Sequence, residues 1–241
     1  MPSRPSEFAR LALEVAHADP RRARQLATAV LSTVGGDQVS RALAEHALGL
    51  AAKEFLDLDR ATTHLRRAIR GSLKAGEPFV AAQARTSLCF VLLSRGQTGA
   101  ALREADRAAA VLRGQEAGQL HMRRALILQR LGRLDEALEG YRRAIQVFRR
   151  ANDEVWEARV LCNRGVLHGY RMEFAAAERD LSRSSHLARR HGQKLAATQV
   201  HHNLGFVAAR RGDVPTALRR FDAAEQEHRA LGLSDWVGMV D

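Results

Sequence analysis

Five alanines, at positions 61, 101, 137, 177 and 217, stand 40, 36, 40 and 40 residues apart, and each opens the same short pattern. After Gly132, the residues Ala137, Tyr141 and Ala144 follow at steps of four and three. Gly212, Ala217, Phe221 and Ala224 repeat that series, as do Gly96, Ala101, Ala105 and Ala108. Ala177, Leu181 and Ser184 carry it less fully, as do Ala61, Leu65 and Ala68. Steps of three and four line up on one face of a helix. A period in this range constrains the fold more than any local signal does. Each repeat is one supersecondary unit that cannot bury its apolar face alone, so neighbours must stack.

Twelve residues before each anchor sits a small residue: Gly49, Cys89, Ala125, Gly165 and Gly205. A small side chain lets two antiparallel helices approach closely, as a tight helical hairpin requires. Each unit therefore reads as helix, turn, helix. The N-terminal segment fits more loosely, with Leu11 in the small-residue slot, Asp19-Pro20 as a helix start and Ala23 as anchor. The expected hairpins are 4–41, 42–81, 82–117, 118–157, 158–197 and 198–237 of one domain, 1–241. Residues 234–241, entered at a Ser234 or Asp235 cap, read as the start of a seventh first helix.

Composition agrees with helices. Apolar residues make up 46% of the 241, enough to fill a core, while 5 Pro, 2 Tyr and 2 Trp are too few for a typical sandwich or barrel. Two cysteines, Cys89 and Cys162, argue against a disulfide framework and for a reducing compartment. The opening residues lack an apolar h-region, and no run of 18 apolar residues occurs, so the expectation is a cytoplasmic chain with no membrane partner.

The formal charge of +11 raises the question of nucleic acid. The only lysines are Lys53, Lys74 and Lys194, so the excess is arginine, a skew that a GC-rich coding sequence would also produce. Several of the doublets 66/67, 142/143, 149/150, 189/190, 210/211 and 219/220 fall near the ends of second helices, with Asp and Glu interleaved through the same helices. There they complement helix dipoles on a solvated face. With no helix-turn-helix or RNA-binding signature, no nucleic-acid partner is expected.

The units resemble tetratricopeptide (TPR) repeats, whose pattern runs W-x2-L-G-x2-Y, then A-x3-F, then P. The match is best from Asn203-Leu204-Gly205 through Phe221 and Ala224; the leading Trp, the closing Pro and the 34-residue period are missing. The resemblance implies an all-α, right-handed α-α superhelix, a TPR-like solenoid of about six hairpins with longer helices. Its arginine- and alanine-rich style, with Asn163-Arg164-Gly165 and Asn203-Leu204-Gly205, is also similar to TPR segments that precede caspase-like CHAT domains in actinobacterial proteins.

The resemblance further implies that the first helices line a concave groove, through positions 5, 6, 9 and 13 of units counted from 118, 158 and 198. These are Met122, Arg123, Leu126 and Arg130; Cys162, Asn163, Val166 and Tyr170; and His202, Asn203, Phe206 and Arg210. Asparagine amides there would hold the backbone of an extended peptide, unless they brace neighbouring repeats, and the arginines would pair with carboxylates. The expected function is a non-catalytic scaffold binding a protein or peptide, acidic or intramolecular. The alternative is a sensing module of a larger CHAT protease.

No cofactor and no metal are expected, because zinc-type Cys/His spacing is absent. Met122, Cys162 and His202 share a slot, but helices about 10 Å apart hold such positions too far apart for a common ion. Neither a phosphate loop nor a G-x-S-x-G elbow occurs, and Gly35-Gly36-Asp37 reads as a turn. Cys162 and His202 lack an oxyanion loop, so no catalytic pair is expected. Cys89 reads as packing.

Overall fold

A computed structural model describes residues 4–33 and 36–231; the expected seventh helix at 234–241 lies outside them. Every regular element among the described residues is an α-helix. The chain forms two compact units, Met1–Ile127 and Leu128–Asp241.

The first unit holds α1 (Arg4–Val15), α2 (Pro20–Ser32), α3 (Gln38–Glu54), α4 (Leu58–Lys74), α5 (Pro78–Ser94), α6 (Thr98–Ala109) and most of α7 (Gly114–Arg130). From α1 to α6 each helix packs against the next, and α3 also touches α1 and α5, so first helices lie beside first helices. Asp19, Asp37 and Asp57 cap their helices by accepting from the backbone N–H three residues on. Each such cap contributes about 1 kcal/mol. The core runs through the anchor alanines Ala61 and Ala101 into Leu65, Leu88, Leu92, Leu120 and Ile127.

The second unit holds the end of α7, then α8 (Leu134–Arg150), α9 (Glu154–Tyr170), α10 (Phe174–Arg190), α11 (Lys194–Arg211) and α12 (Val214–Ala230). In α8 the buried residues Ala137, Tyr141, Ala144, Ile145 and Phe148 form one stripe. Asp135 and Glu136 occupy its first turn and Arg149 and Arg150 its last, each complementing the helix dipole. Burying Tyr141 and Phe148 supplies about 1.5–3 kcal/mol apiece. The Tyr141 hydroxyl, which cannot be left unpaired inside, donates to Gln129 Oε1 at 3.1 Å.

Seventeen-residue helices joined by three-residue turns explain the 40-residue period. In the second unit the turns place Gly132, Asn152, Met172, Gly192 and Gly212 in the left-handed region, each 20 residues from the next. The one 36-residue interval reflects α6, which has 12 residues where α4 and α8 have 17.

The small residues twelve before each anchor do admit the partner helix, but the side chain that fills the space is the one four past the anchor. A Cβ at Gly49 would lie 2.6 Å from Leu65 Cγ, and one at Gly165 2.7 Å from Leu181 Cγ. Where Cys89 takes the slot, the residue four past the anchor is Ala105, and the thiol donates to the Ala101 carbonyl at 3.3 Å. The volume is conserved across the pair rather than at either position.

Candidate functional site

On α9, Asn163, Val166 and Tyr170 follow steps of three and four; on α11, Asn203, Phe206 and Arg210 do the same, and the two helices pack together. Tyr170 is 49% exposed and its ring lies 5.0 Å from that of Phe206, tilted by 52°. Phe206 also covers Gly169, where a Cβ would be 3.0 Å from the ring. Asn163 is half-buried, with no hydrogen bond to its amide among the described residues. Arg210 is exposed and likewise has no partner there. The structure thus gathers an aromatic step, a free amide and a free guanidinium on adjacent first helices.

Asn203 is differently occupied. Its Nδ2 donates to Cys162 Sγ at 3.0 Å, and its Oδ1 lies 3.5 Å from Gln199 Nε2. The bond ties α11 to α9. In the first unit, His46 Nε2 is 2.9 Å from Ser87 Oγ, and Arg123 donates to the Thr86 carbonyl at 3.0 Å. All three bonds join position 5 of one first helix to position 6 of the next. Sequence reasoning missed His46, Thr86 and Ser87 in this role, although the recurrence of polar residues at those two slots was the available signal.

The remaining expected residues divide by unit. Met122, Arg123 and Leu126 lie on the first-unit part of α7, half-buried, with Leu126 against the core around Leu92 and Ile127. Arg130, in the second unit, is exposed and carries an interaction of its own. His202 turns toward the second helix of its hairpin, 5.1 Å from the Phe221 ring. Cys162 and Val166 are half-buried, Cys162 against the core of Leu181 and Val207.

Burial governs the titrating groups. It pushes the Cys162 thiol up to about 11, opposed by the Asn203 bond, and Cys89 up to about 12. It drives His46 down to about 4, helped by the positive fields of His17 and Arg123. Ser87 donates to the Gln83 carbonyl at 3.4 Å and so accepts from His46, leaving a neutral imidazole whose Nδ1 has no partner. Neither thiol is poised as a nucleophile. Among the described residues no three potential ligands gather to hold a metal, and no helix is long and apolar enough to cross a membrane.

Comparison with known proteins follows from this geometry. Residues 116–190 match the tetratricopeptide repeat family. No curated protein sequence matches the chain. Among solved structures, BtubC (BKLC) from P. vanneervenii is 20% identical, with TM-score 0.67 over 95% of this chain and 89% of that one. A Rap protein complexed with competence and sporulation factor is 15% identical, with TM-score 0.75 over 92% of this chain and 63% of that one. YrrB, a TPR protein with an unusual peptide-binding site, is 16% identical, with TM-score 0.50 over 83% of this chain and 92% of that one. At these identities the likeness shows the fold, a TPR-like α-α superhelix of helical hairpins.

Proposed function

We propose that the chain is a non-catalytic scaffold that binds an extended, acidic peptide or protein segment along the first helices α9 and α11. The observation that carries this reading is the half-exposed Tyr170–Phe206 step beside the unpartnered amide of Asn163 and guanidinium of Arg210. An amide offers a peptide backbone both donors and an acceptor, the rings supply apolar contact, and Arg210 takes a carboxylate in a two-pronged bond. The net charge of +11 favours acidic ligands by steering. The peptide-binding site named for YrrB, and the Phr* peptide complex named for the Rap conjugation gene regulator of plasmid pLS20, support the class of ligand.

The Asn203–Cys162 bond preorganises the surface, so little ordering is required when a ligand arrives. The CHAT-associated alternative rests on the arginine- and alanine-rich style together with the two Asn-x-Gly triplets. In the structure the glycines of both triplets have a packing role, Gly165 and Gly205 accommodating Leu181 and Phe221, and Arg164 grips Asp180 at 2.6 and 2.8 Å.

The test is selection of binders from a random library of acid-rich decapeptides, followed by titration of the best binder into variants. Asn163→Ala, Tyr170→Ala and Arg210→Ala should each weaken it roughly tenfold, the effect of losing one charge-assisted or well-buried contact. Selected peptides that bind all three variants as tightly as the parent chain would sink the assignment.

A further inference from the structure

A second feature lies on the opposite face of α11. His201 and Leu204 point away from Asn203, Phe206 and Arg210 by the helical period, and with α10 and α12 they wall a cavity of about 750 Å³. Its polar rim is Ser182, His186, Arg189, Arg190 and Arg220, with Ser185 beside them, and among the described residues no carboxylate lines it. The basic side chains are held from behind. Arg189 Nη2 is 2.8 Å from His201 Nε2, whose Nδ1 is 3.0 Å from Glu227 Oε1, and Arg190 donates to Glu154 at 3.2 Å. Arg220 is exposed and has no partner among the described residues.

The repeat supplies an internal comparison. The positions 116 residues earlier than His186, His201 and Arg220 are Arg70, Arg85 and Glu104, and they line a cavity of about 340 Å³ in the first unit. There Glu104 accepts from Arg85 and, at 2.7 Å, from Arg107, so the acid neutralises its own site. In the hairpin before, Glu45 Oε2 pairs with His64 Nδ1 at 2.6 Å across the same two helix positions. The last hairpin differs from these two. Arg220 stands where the pairing partner should be, facing His201, and Ser182 and Ser185 replace Arg66 and Ile69. A wider cavity, a basic rim and two hydroxyls remain, and Arg220 is left without an acid partner among the described residues.

We propose that this cavity is an anion site for a phosphate group, held by Arg189, Arg190 and Arg220 with the serine hydroxyls as further donors. Guanidinium groups match phosphate oxygens in two-pronged bonds, and hydroxyl donors suit a tetrahedral oxyanion. The volume exceeds that of phosphate itself, so the group can arrive free or borne on a protein side chain. The site is independent of the peptide surface, because it uses the other face of α11.

The test titrates the full chain with sodium phosphate at constant ionic strength, following the imidazole signals of His186 and His201 and the Nε–H signals of Arg189 and Arg220 by NMR. Saturable shifts confined to these residues are expected. Arg220→Glu, which restores an acid at the site of an exposed, unpaired side chain, should weaken binding roughly tenfold or more, and Arg189→Gln should do likewise. Asn163→Ala should leave it unchanged. A phosphoserine pentapeptide flanked by glycines and its unphosphorylated form provide the second arm. Tighter binding of the phosphopeptide than of phosphate, with no binding of the unphosphorylated form, assigns a protein-borne group, and equal or weaker binding of the phosphopeptide assigns the free anion. Absence of saturation by phosphate, or no loss in Arg220→Glu, overturns the proposal.

Discussion

Phe221 closes over Gly205 so tightly that a Cβ at 205 would lie 2.7 Å from the ring's Cε1. Gly205→Ala must push the ring or spread the hairpin, and should destabilise by about 1–3 kcal/mol. Gly165→Ala should behave similarly against Leu181, whereas combining it with Leu181→Ala should lose less than the sum of the single changes. Urea unfolding of the four variants checks both statements; strict additivity would show that the pairs do not share one volume.

Met172 is a turn residue with φ of 62°, 62% exposed, at a position where Gly132, Gly192 and Gly212 stand in equivalent turns. A side chain there strains the backbone while burying little. Met172→Gly should stabilise the chain by about 0.5–1 kcal/mol, since relief of left-handed strain exceeds the extra entropy of glycine in the unfolded chain. A lowered midpoint of unfolding would contradict this.

His46 makes stability depend on pH. Its folded value of about 4 lies below the ordinary 6.5, so the unfolded chain takes up a proton between these values and the folded chain does not. The contribution is full above pH 6.5 and is lost as pH falls toward 4. Between pH 7 and pH 5 this amounts to about 2 kcal/mol. Comparing unfolding free energies at the two pH values in the parent chain and in His46→Gln isolates it. An equal drop in both would remove His46 as the cause.

The repeat was legible because anchors such as Ala137 and Ala217 must lie against a partner helix, and burial writes its period into the sequence. Asp19 announced a helix start by the same logic of unsatisfied backbone N–H groups, and the structure adds Asp57 and Asp153 as caps of the same kind. What position 5 bonds to was not legible. His46 meets Ser87 and Cys162 meets Asn203 only because successive first helices stack in a particular register, and pattern alone does not give the rotamers. The outer cavity was hidden in a different way: in sequence Arg220 is one half of a solvated doublet, and only the packing of α10, α11 and α12 brings it to the same cavity as Arg189 and Arg190.

Thiol chemistry offers a direct check on burial. With Cys89 raised to about 12 and Cys162 to about 11, the thiolate fraction at pH 8 is at least about 100-fold below that of an ordinary thiol near 9. Ellman's reagent should therefore react with both cysteines only after unfolding. Rapid reaction of one equivalent with the native chain would place Cys162 in the open.

Asn163 and Asn203 occupy the same slot of consecutive repeats, yet the structure separates their roles. Asn203 ties α11 to α9 through Cys162, so Asn203→Ala removes a half-buried bond and should lower stability by about 0.5–1.5 kcal/mol. Asn163 holds nothing, so Asn163→Ala should leave the unfolding midpoint unchanged while weakening a selected peptide. The pair of measurements, unfolding and peptide affinity on both variants, distinguishes bracing from binding at each position. A stability loss for Asn163→Ala with no change in affinity would make both asparagines braces and move the peptide surface to the Tyr170–Phe206 step alone.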